Sequence, residues 1–570
     1  MDQRSSFAFL REYATRWDAI ALLIVVGFFA FLGTASRGLL APLAQVGVDL
    51  SLAPQHLPEY AARTTLRMFA AMFLSLTFTL VYATWAAKNE RAGRLLIPIL
   101  DVLQSVPILG FISVTIVFFL SLTPGRVLGA EFAAVFAIFT SQAWNMAFSF
   151  YQSLRTVPVE LREAADSFRL SPWMRFWRLE VPFAAPALIW NMMMSMSGGW
   201  FFVVAAEAIS VGTNTVSLPG IGTYIALAIA QRDLAAIGWA IGTMLVVILI
   251  YDQLLFRPLI VWVDRFRLDQ EPGERAPQSW ALTMVRRSRL VHIAMAIVRR
   301  LLAWATRRRS RTRVPSPRRA ERQRAGGYIG LAAMAAVVVF TAWHFAASLV
   351  GATSLDEVLA VVGLAVITLV RVCALIALAS LVWVPIGVWI GIRPRVAQVV
   401  QPIAQFLASF PANLVFPVVV FAIVKYELAP DVWLSPLMIL GTQWYILFNV
   451  IAGASLMPGE LRYAAENFQV GGWLWWRRVI LPAVFPFYVT GAITASGGSW
   501  NAAIVAEVAT WGDMRIEAHG LGAYIAAATA AGDFHRVVLG VATMSVFVVV
   551  INRLFWRPLY YYAERKFTFR

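Results

Sequence analysis

Residues 160–186 read ELREAADSFRLSPWMRFWRLEVPFAAP, and residues 460–486 read ELRYAAENFQVGGWLWWRRVILPAVFP. Both stretches are charged and aromatic, in a chain that is otherwise 60% hydrophobic and only 14% charged. Neither crosses a bilayer at that charge density. Pro158 suits the first turn of a helix in which Leu161, Ala165 and Phe168 share one face. Ser171-Pro172 then reads as a helix cap followed by proline at the first helical position. Each stretch is expected to form two short helices joined by a bend, displaying Phe168, Trp173, Phe176 and Trp177. An apolar helix shown to water fits the groove of a partner. Resting on lipid is the other reading, and recurrence at the same slot of both halves favours the partner.

Outward from these stretches the sequence is apolar. Soluble domains are about 45–50% apolar and about 25% charged. Ala19 to Ser36 carries no charge and is long enough to span. It lacks a clear small-residue cleavage site and further spans follow, so it reads as a retained first span, not a signal peptide. The blocks suggest spans near 18–36, 64–87, 97–122, 130–153, 186–210 and 234–256, then 327–349, 366–391, 401–424, 432–454, 485–510 and 536–556. Formal charge is +17, carried almost wholly by arginine. Basic residues follow the even-numbered spans (Lys88, Arg91, Arg94; Arg155 to Arg178; Arg257, Arg265, Arg267) and precede the first, which predicts that both termini are cytoplasmic. The same bias accounts for the charge without nucleic acid, since no soluble basic module is evident. The single Cys373 excludes an internal disulfide, and five scattered histidines form no ligand cluster, so no metal or cofactor is expected in this chain.

The halves are copies. Pro182 matches Pro482, Trp200 matches Trp500, Glu207 matches Glu507, and Arg257-Pro258-Leu259 matches Arg557-Pro558-Leu559, all at one offset. Upstream the offset grows by four: Arg67 matches Arg371, Pro98 matches Pro402, and Pro107 matches Pro411. A shorter outer loop between spans nine and ten absorbs the difference. An even number of spans per copy predicts a parallel pseudo-twofold repeat with a pathway between the copies. The organisation expected is a first membrane domain at 1–263 (loop 156–183), a basic linker at 264–324, and a second membrane domain at 325–570 (loop 456–483). In the linker, Leu290, Ile293, Ile297 and Leu301 recur at helical spacing among arginines, which fits either an amphipathic helix on anionic lipid or a plain tether.

At Glu163-Ala164-Ala165 through Pro182 the sequence resembles the EAA loop of permease subunits of bacterial ABC importers. Its pattern is roughly E-A-A, then three residues, Gly, and I-x-L-P further on. Ser105-Val106-Pro107, Gly198 to Trp200, Ala206-Glu207 and Gly220-Ile221-Gly222 are similar to the nitrate, sulfonate and taurine class, most of all to its duplicated single-chain anion-permease type. The resemblance implies an all-α polytopic membrane protein of two tandem six-helix type I importer domains, about 12 transmembrane helices in all. It implies no enzyme activity, and passage of a small anion across the bacterial inner membrane. It implies two separate ABC ATPase subunits, gripped through Glu163, Ala164, Ala165, Phe168 and Trp173 and through Tyr463, Ala464, Ala465, Phe468 and Trp473, and a periplasmic or lipid-anchored substrate-binding protein. The family's glycine is Arg169 in one copy and Gln469 in the other, and its glutamate is Tyr463 in the second, so the two couplings are not expected to be equivalent. No P-loop is present, because none of Lys88, Lys425 and Lys566 follows glycine.

Within the spans, a carboxylate costs about 2.5–3.5 kcal/mol at mid-bilayer on insertion scales. A structural or gating role is therefore expected for Glu207 and Glu507, hydrogen-bonded between helices or paired with arginine. Arg67 and Arg371 are the opposite charges; they read as snorkelling to the outer headgroups or, second, as anion contacts. Gly198-Gly199 and Gly497-Gly498 are expected to break their helices beside the pathway. Trp200 and Trp500 are read as lining it or packing, and Asn145, Gln142 and Gln443 as weaker candidates. The runner-up function is a twelve-span ion-coupled secondary transporter. Asn89 to Arg94 faintly resembles a loop motif of that group, but Arg393-Pro394-Arg395 does not repeat it, and the duplicated loops have no explanation there. A membrane-embedded transferase lacks the clustered acids it needs.

Overall fold

The computed structural model describes residues 50–211, 214–264, 266, 354–457 and 459–567. The expected first and seventh spans and nearly all of the linker lie outside the described residues. In the first copy the helices are α1 (Leu57–Lys88), α2 (Glu90–Ser105), α3 (Ile108–Leu122), α4 (Val127–Arg155), α5 (Val159–Ser167), α6 (Pro172–Glu207), α7 (Ile221–Ala230) and α8 (Leu234–Val263). In the second they are α9 (Leu355–Gly391), α10 (Pro394–Ala408), α11 (Ala412–Lys425), α12 (Pro430–Leu440), α13 (Gln443–Ser455), α14 (Gly459–Asn467), α15 (Gly472–Ala506), α16 (Leu521–Ala531) and α17 (Phe534–Phe567).

The long helices form where apolar side chains run without interruption. α1 carries no charge from Met68 to Ala87. Asn89 ends it and starts the next helix, its side chain accepting from the Arg91 and Ala92 amides. Among the described residues, 7 helices are long and apolar enough to cross a membrane, or 9 if each bent pair is one span. The expected span at 97–122 is not continuous. It breaks into α2 and α3 at Val106-Pro107, because proline donates no amide and pushes its predecessor out of helical geometry. Pro411 breaks its counterpart in the same way, and α10 and α11 meet at 66°. α12 and α13 meet at 45° near Gly441-Thr442, whereas their counterpart α4 is unbroken.

The helical fold carries two features absent from the expected spans. α6 and α15 stop at Glu207 and Ala506, short of 210 and 510, and each turns into a small antiparallel hairpin: β1 (Ala208–Val211) with β2 (Asn214–Ser217), and β3 (Val508–Trp511) with β4 (Met514–Glu517). π-helical turns occupy matched places, Phe176–Glu180 with Trp476–Ile480 and Asp252–Phe256 with Asn552–Trp556. Such turns shift the register of a helix face locally and recur at functional sites.

Both copies share one hydrophobic core, which runs from Met68 and Trp200 to Val450 and Trp500. They are also tied directly. The Ile108 amide donates to Asn501 Oδ1 at 2.7 Å, and Asn413 Nδ2 donates to the Phe201 carbonyl at 3.0 Å. The Ser197 hydroxyl donates to the Ala408 carbonyl. Two of these bonds fall at the proline breaks, where amides and carbonyls leave their helical ladder and need other partners.

Candidate functional site

Each copy holds a charge cluster at the end where α1 begins and α6 finishes. In the first, Arg67 on α1 donates through Nε and Nη2 to both oxygens of Glu131 on α4, at 2.6 Å each. Its Nη1 donates to Glu207 Oε1 at 2.7 Å and to the Pro219 carbonyl at 2.9 Å. Glu207 Oε2 accepts from the Gly222 amide at 2.8 Å. A Cβ on Gly220 would overlap the Glu207 carboxyl, and one on Gly222 would overlap the Val204 carbonyl. The glycines of Gly220-Ile221-Gly222 are there for close approach. The second copy repeats the plan with Arg371, Asp431, Glu507 and Gly520. Arg371 reaches Asp431 at 2.6 Å and Glu507 at 3.2 Å, and Thr368 donates to Glu507 at 2.9 Å.

Arg67 therefore does not snorkel: its side chain is 4% exposed, and Glu207 is fully buried beside it. Arg371 is likewise turned inward onto two carboxylates. The second cluster is more open, because Asp431 is half exposed and also accepts from the backbone and ring of exposed His519. Glu131 and Asp431 were not among the residues expected from sequence. Their shared offset with Glu207 and Glu507 was the signal available.

The glycine pairs do not break their helices. α6 and α15 run on through Gly198-Gly199 and Gly497-Gly498, and the missing side chains of Gly199 and Gly498 admit neighbours instead. A Cβ on Gly199 would press on Gln142, and one on Gly498 on Thr442. Trp200 packs on Tyr251 at 5.6 Å between ring centroids, and Trp500 faces Phe547 at 6.4 Å. Gln142 is buried and accepts from Ser75, and Gln443 accepts from Trp383.

At the opposite, basic end, the matched loops bend alike. α5 ends with Arg169 in the left-handed region at φ 50°, and α14 ends with Gln469 at φ 52°. The Leu170 and Val470 amides reach back to the Ala165 and Ala465 carbonyls, a six-residue closing bond that normally favours glycine at the preceding position. Ser171 caps the next helix, and Pro158 sits at the cap of α5, one place before its first turn. Phe168 and Phe468 are 80% and 78% exposed. Glu163, Ala164, Tyr463, Ala464 and Trp473 are exposed, while Ala165 and Ala465 are buried. Phe176 is not displayed: it is buried against Phe150, and Trp173 is half-buried between Phe176 and Trp177. The loops are anchored differently. Lys88 pairs with Glu180 at 2.7 Å and lies over the Phe176 ring, and Arg175 pairs with Asp166 at 3.1 Å. The second copy has Ile392, Trp475 and Ile480 in the places of Lys88, Arg175 and Glu180.

Between the copies lies a cavity of about 970 Å³. It reaches from Ile108, Phe201 and Ala412 at the proline breaks to Arg557 and Tyr561 towards the basic end, and Trp500, Asn145 and Gly498 line it, but Trp200 does not. No carboxylate lines it among the described residues, and its charged lining groups are Arg553 and Arg557. Nor do the described residues hold a group of three or more His, Cys, Asp or Glu fit for a metal.

The profile of the family described as binding-protein-dependent transport system inner membrane component matches residues 75–264 and again 383–559. The chain belongs to that family. It carries the inner membrane component twice, and each match contains one exposed-aromatic loop. Among curated relatives it is similar to the glycine betaine/carnitine transport permease protein GbuB of Listeria monocytogenes, at 25% identity over 34% of this chain and 63% of that protein. It is similar to the nitrate import permease protein NrtB of Leptolyngbya laminosa, at 25% identity over 33% of this chain and 63% of that one. It also resembles the bicarbonate transport system permease protein CmpB of Synechococcus elongatus, at 26% identity over 26% and 52%. The aligned segments thus span between about half and two thirds of these relatives.

Proposed function

We propose that this inner membrane component is the fused permease of an ABC importer, and that the cavity between its copies is the path of a small anion of the nitrate, sulfonate, taurine or bicarbonate kind. The basic end then faces the cytoplasm, as the positive-inside bias requires. Phe168 and Phe468 at the tips of the matched loops carry the reading: large aromatics held out at the same place in both copies suit two ATPase subunits with apolar clefts. A binding protein delivers the solute to the opposite end. The names of relatives that import nitrate and bicarbonate support an anion, as does a cavity lined, among the described residues, by two guanidiniums and no carboxylate.

The test is uptake into proteoliposomes holding the full chain with its ATPase and binding protein. Import should require ATP hydrolysis and fall to background on Phe168→Asp or Phe468→Asp, with the ATPase no longer co-purifying. Uptake that persists without the ATPase but collapses with the proton gradient overturns the reading.

A further inference from the structure

Among the described residues, the charged groups at the basic mouth of the cavity come from one copy alone, while Ser149, Gln152 and Asn191 of the other copy add neutral polar groups to the lining. Asn552, Arg553, Trp556, Arg557, Tyr560 and Tyr561 of α17 line it, in pairs repeating every four residues, while none of the described residues of α8 does. The π-helical turn Asn552–Trp556 sets this register, and Leu554 and Phe555 lie on the exposed side of the helix. Trp556 is 8% exposed, and its indole N–H has no hydrogen-bond partner. The N–H itself is closed to solvent, so the indole must turn for an acceptor in the cavity to meet it; a buried donor left unmet costs about 1–3 kcal/mol, which favours that turn.

The other copy shows that fold and topology do not demand these groups. It has the same π-helical turn, Asp252–Phe256, with an arginine after it. The shared Arg257 and Arg557 are accounted for by the inward bias of positive charge. Arg553 and Trp556 are not, since the matched residues are Gln253 and Phe256. Asn552 also stands where the first copy has Asp252, which removes an anion from the mouth. All three differences act in one direction: they remove negative charge or add donors that cannot accept.

We infer that the second copy's α17 forms an oxyanion site at the inner mouth of the cavity, with Arg553, Trp556 and Arg557 as donors. Resting on the cavity being the anion's path, it is the last contact before release. Guanidinium groups suit a planar or tetrahedral oxyanion, and the indole N–H adds a neutral donor. The phosphate of an anionic lipid offers the same chemistry, so the test separates the two sources.

The purified full chain is placed in phosphatidylcholine nanodiscs and titrated calorimetrically with nitrate, methanesulfonate and, as a cation control, tetramethylammonium. Retained phosphatidylglycerol is counted by native mass spectrometry on protein reconstituted with that lipid. Both anions should bind saturably and tetramethylammonium should not. Arg553→Gln, which installs the first copy's residue, should weaken binding about tenfold or more, as loss of a charged hydrogen bond implies. Trp556→Phe, which removes only the N–H donor, should weaken it about fivefold, and Arg257→Gln should leave it unchanged. No saturable anion binding, equal binding by Arg553→Gln and Trp556→Phe, or a loss confined to phosphatidylglycerol in those variants would each overturn the site. If ATP-driven anion uptake persists through such a result, only the site fails; if uptake needs no ATPase, the importer reading fails first.

Discussion

Replacing Arg67 by leucine removes the cation that Glu131 and Glu207 share. Arg67 is 4% exposed and bonded to three carboxylate oxygens and a carbonyl, so its loss strands two carboxylates with little water to replace it. Breaking a buried pair by removing one partner costs about 3–5 kcal/mol. Arg371→Leu removes the matched residue and also takes the cation from buried Glu507, but Glu507 keeps its bonds from the Thr368 hydroxyl and the Ala523 amide, and Asp431 is 47% exposed and keeps those from His519. Its cost should fall between the exposed and buried limits, at about 1–2 kcal/mol. Unfolding of the purified chain in mixed micelles by rising dodecyl sulfate, followed by tryptophan fluorescence, reads both. The triple variant Arg67→Leu, Glu131→Leu, Glu207→Gln should regain most of the loss. It removes every charge and keeps an acceptor for the Gly222 amide, and apolar replacement of a buried ionic cluster is often neutral. If Arg371→Leu is as damaging as Arg67→Leu, or the triple variant is worse than the single one, burial does not set the cost and the reasoning is wrong.

Gly520→Ala should lower stability by about 3 kcal/mol in the same assay, because its methyl displaces the Glu507 carboxyl from Arg371 and Thr368; a change under about 1 kcal/mol would contradict the close approach. Trp473→Ala should leave stability within about 0.5 kcal/mol, since the side chain is mostly exposed, yet reduce ATPase retention on an affinity column. Trp173→Ala should cost about 2 kcal/mol through lost contact with Phe176 and Trp177, and equal stability of the two variants would count against unequal loops. Ser197→Ala should lower stability by about 1 kcal/mol, because it removes the hydroxyl that donates to the Ala408 carbonyl across the two copies, and unchanged stability would show that this bond does not help hold them together.

The repeat, the helical class and the loops were legible because each leaves a periodic or duplicated trace in residue type. The partners of Arg67 and Arg371 were legible only in part. Glu207 and Glu507 stand out inside apolar runs, whereas Glu131 and Asp431 sit at the edges of expected spans and read as boundaries. The hairpins escaped because Ala208 to Val211 continues an apolar run that a helix also fits. Gly512-Asp513 was the turn signal in the second copy. The bend between the two short helices was expected, but its left-handed geometry at Arg169 was hidden for the opposite reason. A left-handed residue usually announces itself as glycine, and here arginine and glutamine hold that conformation at a cost of about 1–2 kcal/mol. The buried state of Phe176 depends on Phe150 and Lys88, neither of which is near it in sequence.

Fusing the copies permits what two identical subunits do not. In a symmetric pair every contact across the axis must be made twice by the same residues. Here Asn501 caps the Ile108 amide, while its counterpart, Phe201, has no side-chain acceptor to offer at the matched break and packs on Phe416 instead. On that side the bond runs the other way, from Asn413 to the Phe201 carbonyl. The loops show the same freedom, with an ion pair between Lys88 and Glu180 in one copy and Ile392 and Ile480 at those positions in the other. So does the cavity mouth, where Arg553 and Trp556 face Gln253 and Phe256 in the alignment of the copies. A substitution in a homodimer would alter both sides of the path at once, so a donor cluster on one wall without its mirror image requires two separately encoded copies. That requirement is met by this chain, and it is why the asymmetric residues, more than the matched ones, are where its particular solute should be read.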